Sequence, residues 1–287
     1  MKLEKNIPIQ ISFSGGRSSA FMVVFALNYE TWNHHEKIIL FANTGKENEQ
    51  TLEFIDRCSK HFNFKTVWVE AVVNSEKGVG TTHKIVDFKS ASRNGEPFED
   101  MLKKYGIPNN NYPHCTRELK QQPMKSYMNS LGYKKYYSMR GIRADEKHRL
   151  SRSEVYGIPV YPLAEHLTLN EKMVREFWDR QPFDLELKDY EGNCDLCWKK
   201  SLRKKMTLIS ENQKIAEWWR RTEKENGYSG GRPMDKVALY EQRHGMSIEQ
   251  IIEKSKEPFV KIADKHIADK QFDLKLDYEE SCFCKSN

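Results

Sequence analysis

Apolar residues alternate at Ile9, Ile11 and Phe13, and an unbroken apolar stretch follows over residues 20–27. Ser14-Gly15-Gly16-Arg17-Ser18-Ser19 lies between them. The period of two predicts a strand and the longer run a helix, with the glycine-rich segment as the turn between. The pattern then repeats. A mainly apolar run over residues 37–42 ends at Asn43-Thr44-Gly45, and residues 47–62 place Leu52, Ile55, Cys58 and Phe62 on one helical face. Residues 64–73, rich in Val and aromatic side chains, predict another strand. Residues 74–112 are polar and carry Gly78, Gly80, Gly95, Pro97, Gly106 and Pro108, so an irregular connection with one short helix over 98–105 is expected.

Beyond it, a helix is expected over 123–131 and strands over 136–140 and 159–163. Thr168 with Glu171 forms a capping-box pattern ahead of the face Met173, Val174, Phe177 and Trp178, which Pro182 ends. One further helix is expected over 201–221, with Trp218 and Trp219 near its end. No internal repeat or low-complexity tract occurs. Strands alternating with helices predict an α/β fold, a doubly wound and mostly parallel sheet with ligands at the carboxyl ends of its strands. Two regions are expected: an α/β domain over 1–165 that binds an anionic ligand, and a helical, cysteine-bearing region over 166–287.

The chain has 287 residues, a formal charge of +6 and six cysteines. Its longest apolar run falls well short of the roughly 20 residues a bilayer span needs, and the first residues lack a secretion-signal core. No membrane association is expected, and a cytoplasmic setting is, where cysteines serve as core thiols, metal ligands or catalytic thiols rather than disulfides. The charge permits nucleotide or nucleic-acid contact without demonstrating either.

A strand, a glycine turn and a helix start together make an anion site, because amides and the positive end of the helix dipole point at whatever occupies the turn. Ser14, Gly15, Gly16, Arg17, Ser18 and Ser19 are the candidate residues, phosphate being the natural guest; a plain serine-rich helix cap is the competing reading. Arg117 and Lys120 follow Cys115 at helical spacing. Arg140-Gly141-Ile142-Arg143 follows a strand, with Lys147, His148 and Arg149 just beyond. Arginine forks hold phosphate or sulfate oxygens bidentately, and Gly141 allows close backbone approach. The basic run Lys199, Lys200, Arg203, Lys204 and Lys205 is either a solvated helix face or a nucleic-acid contact.

Cys58 shares an apolar face and reads as a small core residue. Cys194 and Cys197, three apart after Gly192-Asn193, can turn toward one metal or act as a redox pair. With Cys115 and one of Cys282 and Cys284 they would make a four-thiolate site suited to zinc or an iron-sulfur cluster; a core Cys115 and a frayed tail are the alternative.

Several segments together resemble a known family: Ser-Phe-Ser-Gly-Gly-Arg-Ser-Ser at 12–19, Asn-Thr-Gly-Lys-Glu at 43–47, Cys115-Thr-Arg117-Glu-Leu-Lys120-Gln-Gln-Pro123, Gly141-Ile-Arg143-Ala-Asp145-Glu146 and Tyr161-Pro162-Leu163. They are similar to the phosphoadenosine phosphosulfate (PAPS) reductase family of the adenine-nucleotide alpha-hydrolase-like superfamily, above all to phage and bacterial members with Gly-Asn-Cys-x-x-Cys. The resemblance implies a five-stranded Rossmann-like sheet. Residues 14–19 would cradle the anionic end of PAPS, adenylyl sulfate or ATP, with Asn43, Thr44 and Gly45 beside the adenosine. Arg117, Lys120, Arg140, Gly141 and Arg143 would complete the site. It further implies a [4Fe-4S] cluster on Cys115, Cys194, Cys197 and Cys284 or Cys282, with the other tail cysteine as nucleophile.

The implied activity is sulfonucleotide reduction with a thiol reductant such as thioredoxin. Two alternatives stand beside it: an ATP-dependent sulfurtransferase acting on DNA or tRNA, and a non-catalytic nucleotide or nucleic-acid binder with structural zinc. Two departures bear on these. Ser18 stands where ATP-cleaving members carry Asp, and His114 precedes Cys115 where cluster-type reductases carry a second cysteine.

Overall fold

A computed structural model describes residues 2–227 and 238–264. The strands are β1 (Ile9–Ser12), β2 (Lys37–Asn43), β3 (Thr66–Val72), β4 (Thr82–Val86), β5 (Tyr137–Arg140) and β6 (Ile158–Val160), in the sheet order β4-β3-β2-β1-β5-β6. Five are parallel, as expected; β4 joins antiparallel to β3 at the edge, so the sheet has six strands rather than five. The polar stretch 74–112 hides β4 because neither face is fully buried: Ile85 is exposed and Lys84 reaches back to the buried Glu70 at 2.9 Å.

The helices are α1 (Arg17–Asn28), α2 (Glu49–His61), α3 (Glu96–Tyr105), α4 (His114–Thr116), α5 (Gln122–Ser130), α6 (Glu171–Trp178), α7 (Leu202–Glu211), α8 (Ile215–Glu225) and α9 (Ile248–Lys254). A π-helical turn, Arg117–Gln121, joins α4 to α5. The single helix expected over 201–221 is two. Asn212 leaves helical geometry and its side chain accepts the amide of Lys214, a local bond that competes with continuing the helix. At α6 the cap is Asn170, whose side chain accepts from Met173, whereas Thr168 adopts a left-handed conformation. The capping-box expectation there is corrected accordingly.

Ile9, Ile11 and Phe13 are fully buried in the main core with α1, α2 and the side chains of Val174, Trp178, Leu185 and Leu187. A second core gathers Phe98, Met101, Leu119, Leu196, Trp198, Trp219, Tyr240 and Ile251. It unites α3 and the cysteine-bearing segments with α7, α8 and α9. Among the described residues no helix is long and apolar enough to cross a membrane.

Candidate functional site

Strand β1 lies at the centre, with β2 on one side and β5 on the other, so the chains leaving β1 and β5 diverge at their carboxyl ends. A crevice opens at this switch point, where doubly wound sheets hold ligands. The geometry depends on two glycines. Gly15 has φ of +81°, and a Cβ there would lie 2.4 Å from Thr51 Cγ2. Gly141 brings the loop after β5 against α1 so closely that a Cβ would lie 2.8 Å from Ser19 Cα.

The turn itself is held by Ser19. Its Oγ donates to Gly16 O at 2.8 Å and lies 3.2 Å from Ser14 N and 3.0 Å from Ser14 Oγ. Gly16 is the N-cap of α1, and among the described residues no side chain caps that helix. Its leading amides therefore remain open to an acceptor, and residues 16–19 line the crevice. Arg143 Nη1 donates to Ser18 Oγ at 3.0 Å, while its Nε and Nη2 hold Asp145 at 3.0 Å each. Burial raises the carboxyl of Asp145, but Arg143 outweighs it and holds the group below its ordinary range.

The crevice has an inner and an outer chamber that share Ser14, Ser19, Gly141 and Arg149. Phe41, Ala42, Met124 and Tyr136 give the inner chamber apolar walls, and Lys120, Lys125 and Arg140 add positive charge. Arg140 meets Tyr161 OH at 3.4 Å and has no carboxylate partner among the described residues. Gly16, Arg17, Ser18, Arg143, Arg175 and Lys188 line the outer chamber, together with Glu146, Glu171 and Asp189.

Arg149 was not singled out from the sequence. One arm pairs with Glu146, while its buried Nε has no partner among the described residues, at the junction of the chambers. The signal was the cluster 147–149, but a charge run does not say which member turns inward.

Several candidates are spent on other partners or lie outside the crevice. The Arg17 guanidinium is committed to Asp184 at 2.7 Å and to Leu185 O at 2.6 Å. Arg117 Nε pairs with Glu118 at 2.5 Å, outside both chambers. Asn43, Thr44 and Gly45 do not line the crevice either. Asn43 is buried and donates to Glu70 and Ser92 O, Thr44 holds Glu47, and Gly45 turns with φ of +78° against Gly95. They brace β2 against its neighbours. The basic run is no continuous outer face, because Lys200 and Lys205 turn inward: Lys200 Nζ donates to Cys194 O at 2.6 Å and Lys205 forms a buried ion pair with Glu241.

The loop carrying Cys194 and Cys197 docks on the segment after β2. Asn48 N donates to Asn193 O at 2.7 Å, Asp195 N to Lys46 O at 3.0 Å, and Lys46 Nζ pairs with Asp195 at 2.8 Å. Asn193 Nδ2 reaches Ser14 O at 2.7 Å, so this loop touches the glycine turn directly. Burial pushes the Cys194 thiol up, Lys120 opposes that, and Glu47 and Cys197 add to it. Cys194 Sγ lies 3.8 Å from Glu47 Oε1.

Cys115 accepts from Trp198 Nε1 at 3.4 Å and packs, like Cys197, on the second core. Three thiols from two segments thus share one neighbourhood beside the crevice. Among the described residues, however, no three His, Cys, Asp or Glu side chains converge to hold one metal ion. Cys58 is buried in the main core, where desolvation raises its thiol. Cys282 and Cys284 lie outside the described residues.

No protein-family model matches the chain. The uncharacterised nin region protein ORF290 of Escherichia phage lambda is 28% identical over 264 residues, spanning 86% of this chain and 89% of the phage protein. An uncharacterised protein of Methanocaldococcus jannaschii is 26% identical over 142 residues, 50% of this chain but 27% of the archaeal one. Two solved structures are similar to it. PAPS reductase from Candida auris, in a phosphate complex, has 15% identity and a TM-score of 0.37, with 60% of this chain and 71% of that one covered. The U34-tRNA thiolase NcsA from Methanococcus maripaludis with its [4Fe-4S] cluster has 13% identity and a TM-score of 0.41, with 99% and 80% covered. The chain is an α/β protein whose six-stranded, mostly parallel sheet is flanked by helices.

Proposed function

We propose that the crevice binds an adenine nucleotide, anionic end at residues 14–19, and that the protein performs sulfur chemistry with the thiols grouped beside it. The contact from Asn193 to Ser14 O carries this reading, because it joins a thiol loop to an anion-binding turn. The walls formed by Phe41 and Met124 suit a base, and Lys120, Arg140 and Arg149 suit phosphate or sulfate oxygens.

A sulfonucleotide is the favoured substrate. Ser18 receives Arg143, so where ATP-cleaving relatives carry a carboxylate this chain presents a positively charged neighbour. In the resulting scheme a tail thiolate, Cys282 or Cys284, attacks the sulfonate sulfur. A sulfur-sulfur bond forms as the bond to the phosphate oxygen breaks, and the nucleotide leaves with that electron pair. A dithiol such as thioredoxin then attacks the thiosulfonate, releases sulfite and ends as a disulfide, having supplied the two electrons.

Cys115, Cys194 and Cys197 would hold a [4Fe-4S] cluster with one tail cysteine. Thiolates are the ligands such a cluster takes, Trp198 already donates to one sulfur, and Lys120 and Lys200 offset thiolate charge near another; gathering the three sulfurs on one cluster requires the segments that carry them to close further than they do here. When bound, a cluster supplies an iron centre for electron transfer or Lewis-acid chemistry.

Sulfite release from PAPS or adenylyl sulfate with a dithiol reductant, lost in Cys282→Ser or Cys284→Ser, supports this reading. Pyrophosphate release from ATP that depends on tRNA or DNA would instead establish the sulfurtransferase alternative.

A further inference from the structure

The last described residues form one wall of a groove beside α7. Ile262 is buried and its amide donates to Thr207 Oγ1 at 3.2 Å, which pins the chain to that helix just before Asp264. Leu202, Met206, Phe259 and Val260 give the groove an apolar lining, and Val260 is 77% exposed. Arg203, Arg243 and Lys254 make it cationic. Arg243 and Lys254 are exposed and have no carboxylate partner among the described residues. An exposed apolar lining beside such cations fits an occupant that is apolar and acidic together. Arg243 also lines a smaller cleft with Trp198, Lys199 and Tyr240, and Trp198 is the residue that donates to Cys115. The groove therefore adjoins the neighbourhood of the thiols.

We infer that residues 271–280 of the same chain dock in this groove and carry Cys282 and Cys284 to the other thiols. The sequence that follows Asp264 has the matching chemistry. Phe272, Leu274, Leu276 and Tyr278 recur at every second position, so an extended backbone sets all four on one side. Asp273, Asp277, Glu279 and Glu280 stand among and after them with a single Lys275; four carboxylates against one lysine leave a net charge of −3. Attraction to the cationic groove acts across a Debye length of about 8 Å and needs no fixed pairs. The reach suffices. Phe272 is eight residues past Asp264, an extended span of up to about 26 Å, and Cys282 is four past Tyr278, up to about 13 Å. A segment tethered at the groove's own wall also has a high effective concentration there, which favours it over a separate partner. The docking stands without any nucleotide, whereas the delivery of the thiols rests on the reading that a tail cysteine acts beside Cys115, Cys194 and Cys197.

The test compares trypsin cleavage after Lys275 in the folded full chain with cleavage of the same bond in a synthetic peptide of residues 265–287. The wild type is expected to be cut at least about tenfold more slowly than the peptide, because cleavage waits for the segment to leave the groove. Arg243→Glu with Lys254→Glu reverses the groove's charge, and Val260→Asp places a carboxylate on its apolar wall; all three residues are exposed, so the fold is kept. Each variant is expected to be cut within about twofold of the peptide rate. Protection in the wild type should persist on about hundredfold dilution, as a contact within one chain does. A wild type without protection overturns the inference. So does protection that survives both variants, as tethering through the cysteines alone would give, and so does protection that fades on dilution, which places the segment on a second copy. None of these readouts involves a nucleotide or a cluster, so failure of the docking and failure of the proposed function are told apart.

Discussion

The side-chain amide of Asn193 donates to the carbonyl of Ser14 across 2.7 Å, latching the thiol loop onto the turn that opens α1. Backbone bonds from Asn48 and to Lys46 hold the same loop independently. Asn193→Ala should therefore leave the fold intact, costing about 1 kcal/mol in denaturant unfolding. Nucleotide affinity should fall about fivefold, since the turn loses its brace. Unchanged affinity in a destabilised variant would show that the latch is purely structural.

The three glycines of the crevice should behave differently. Gly15→Ala must adopt a left-handed conformation against buried Thr51 and Ile55, and Gly141→Ala presses on the backbone of Ser19. Each should lose about 2 kcal/mol or more. Gly16 has φ of −94°, and its nearest neighbour to a Cβ is 3.9 Å away, so Gly16→Ala should lose under about 1 kcal/mol. Thermal unfolding of the three variants checks the order.

Asp145 makes the turn that opens α1 sensitive to acid, through Arg143. Its carboxyl is lowered in the fold, so the contribution of its pair with Arg143 is present above the unfolded value and is lost as pH falls through the folded one. Stability should decline from about pH 5 to about pH 3, and Asp145→Asn should flatten part of that slope. Urea midpoints across this range, wild type against variant, measure it.

The thiols give a fourth outcome. Reconstitution with iron and sulfide without oxygen should yield a brown, sulfide-containing protein. Cys115→Ser, Cys194→Ser and Cys197→Ser should each abolish the colour, and Cys58→Ser, deep in the main core, should retain it. A colourless wild type that binds one zinc per chain would replace the cluster by a structural metal.

The crevice was legible in the sequence wherever backbone geometry dictated residue type. Gly15 and Gly141 stand where a left-handed turn and a close approach admit nothing larger, and the strand and helix around them carry clear periodicity. Partner choice was not legible. Arg17 and Arg143 look alike in the chain, yet one is spent on Asp184 and the other on Ser18 and Asp145. Asn43 and Thr44 have the polarity of ligand groups but are consumed by Glu70, Ser92 and Glu47, contacts that only the packed sheet creates. Strand β4 escaped because an exposed edge strand has no apolar face to announce it. The polar lining that Gln10, Ser12 and Ser138 give the inner chamber became visible only when β1 and β5 paired, with Gln10 opposite Ser138.

Calorimetric titration of the full chain with PAPS, adenylyl sulfate and ATP tests the central claim most directly. The account predicts saturable binding of an adenine nucleotide, tightest for a sulfonucleotide and weakened at least about tenfold by Gly141→Ala or Arg149→Gln. No heat with any of the three, from folded protein, would contradict it.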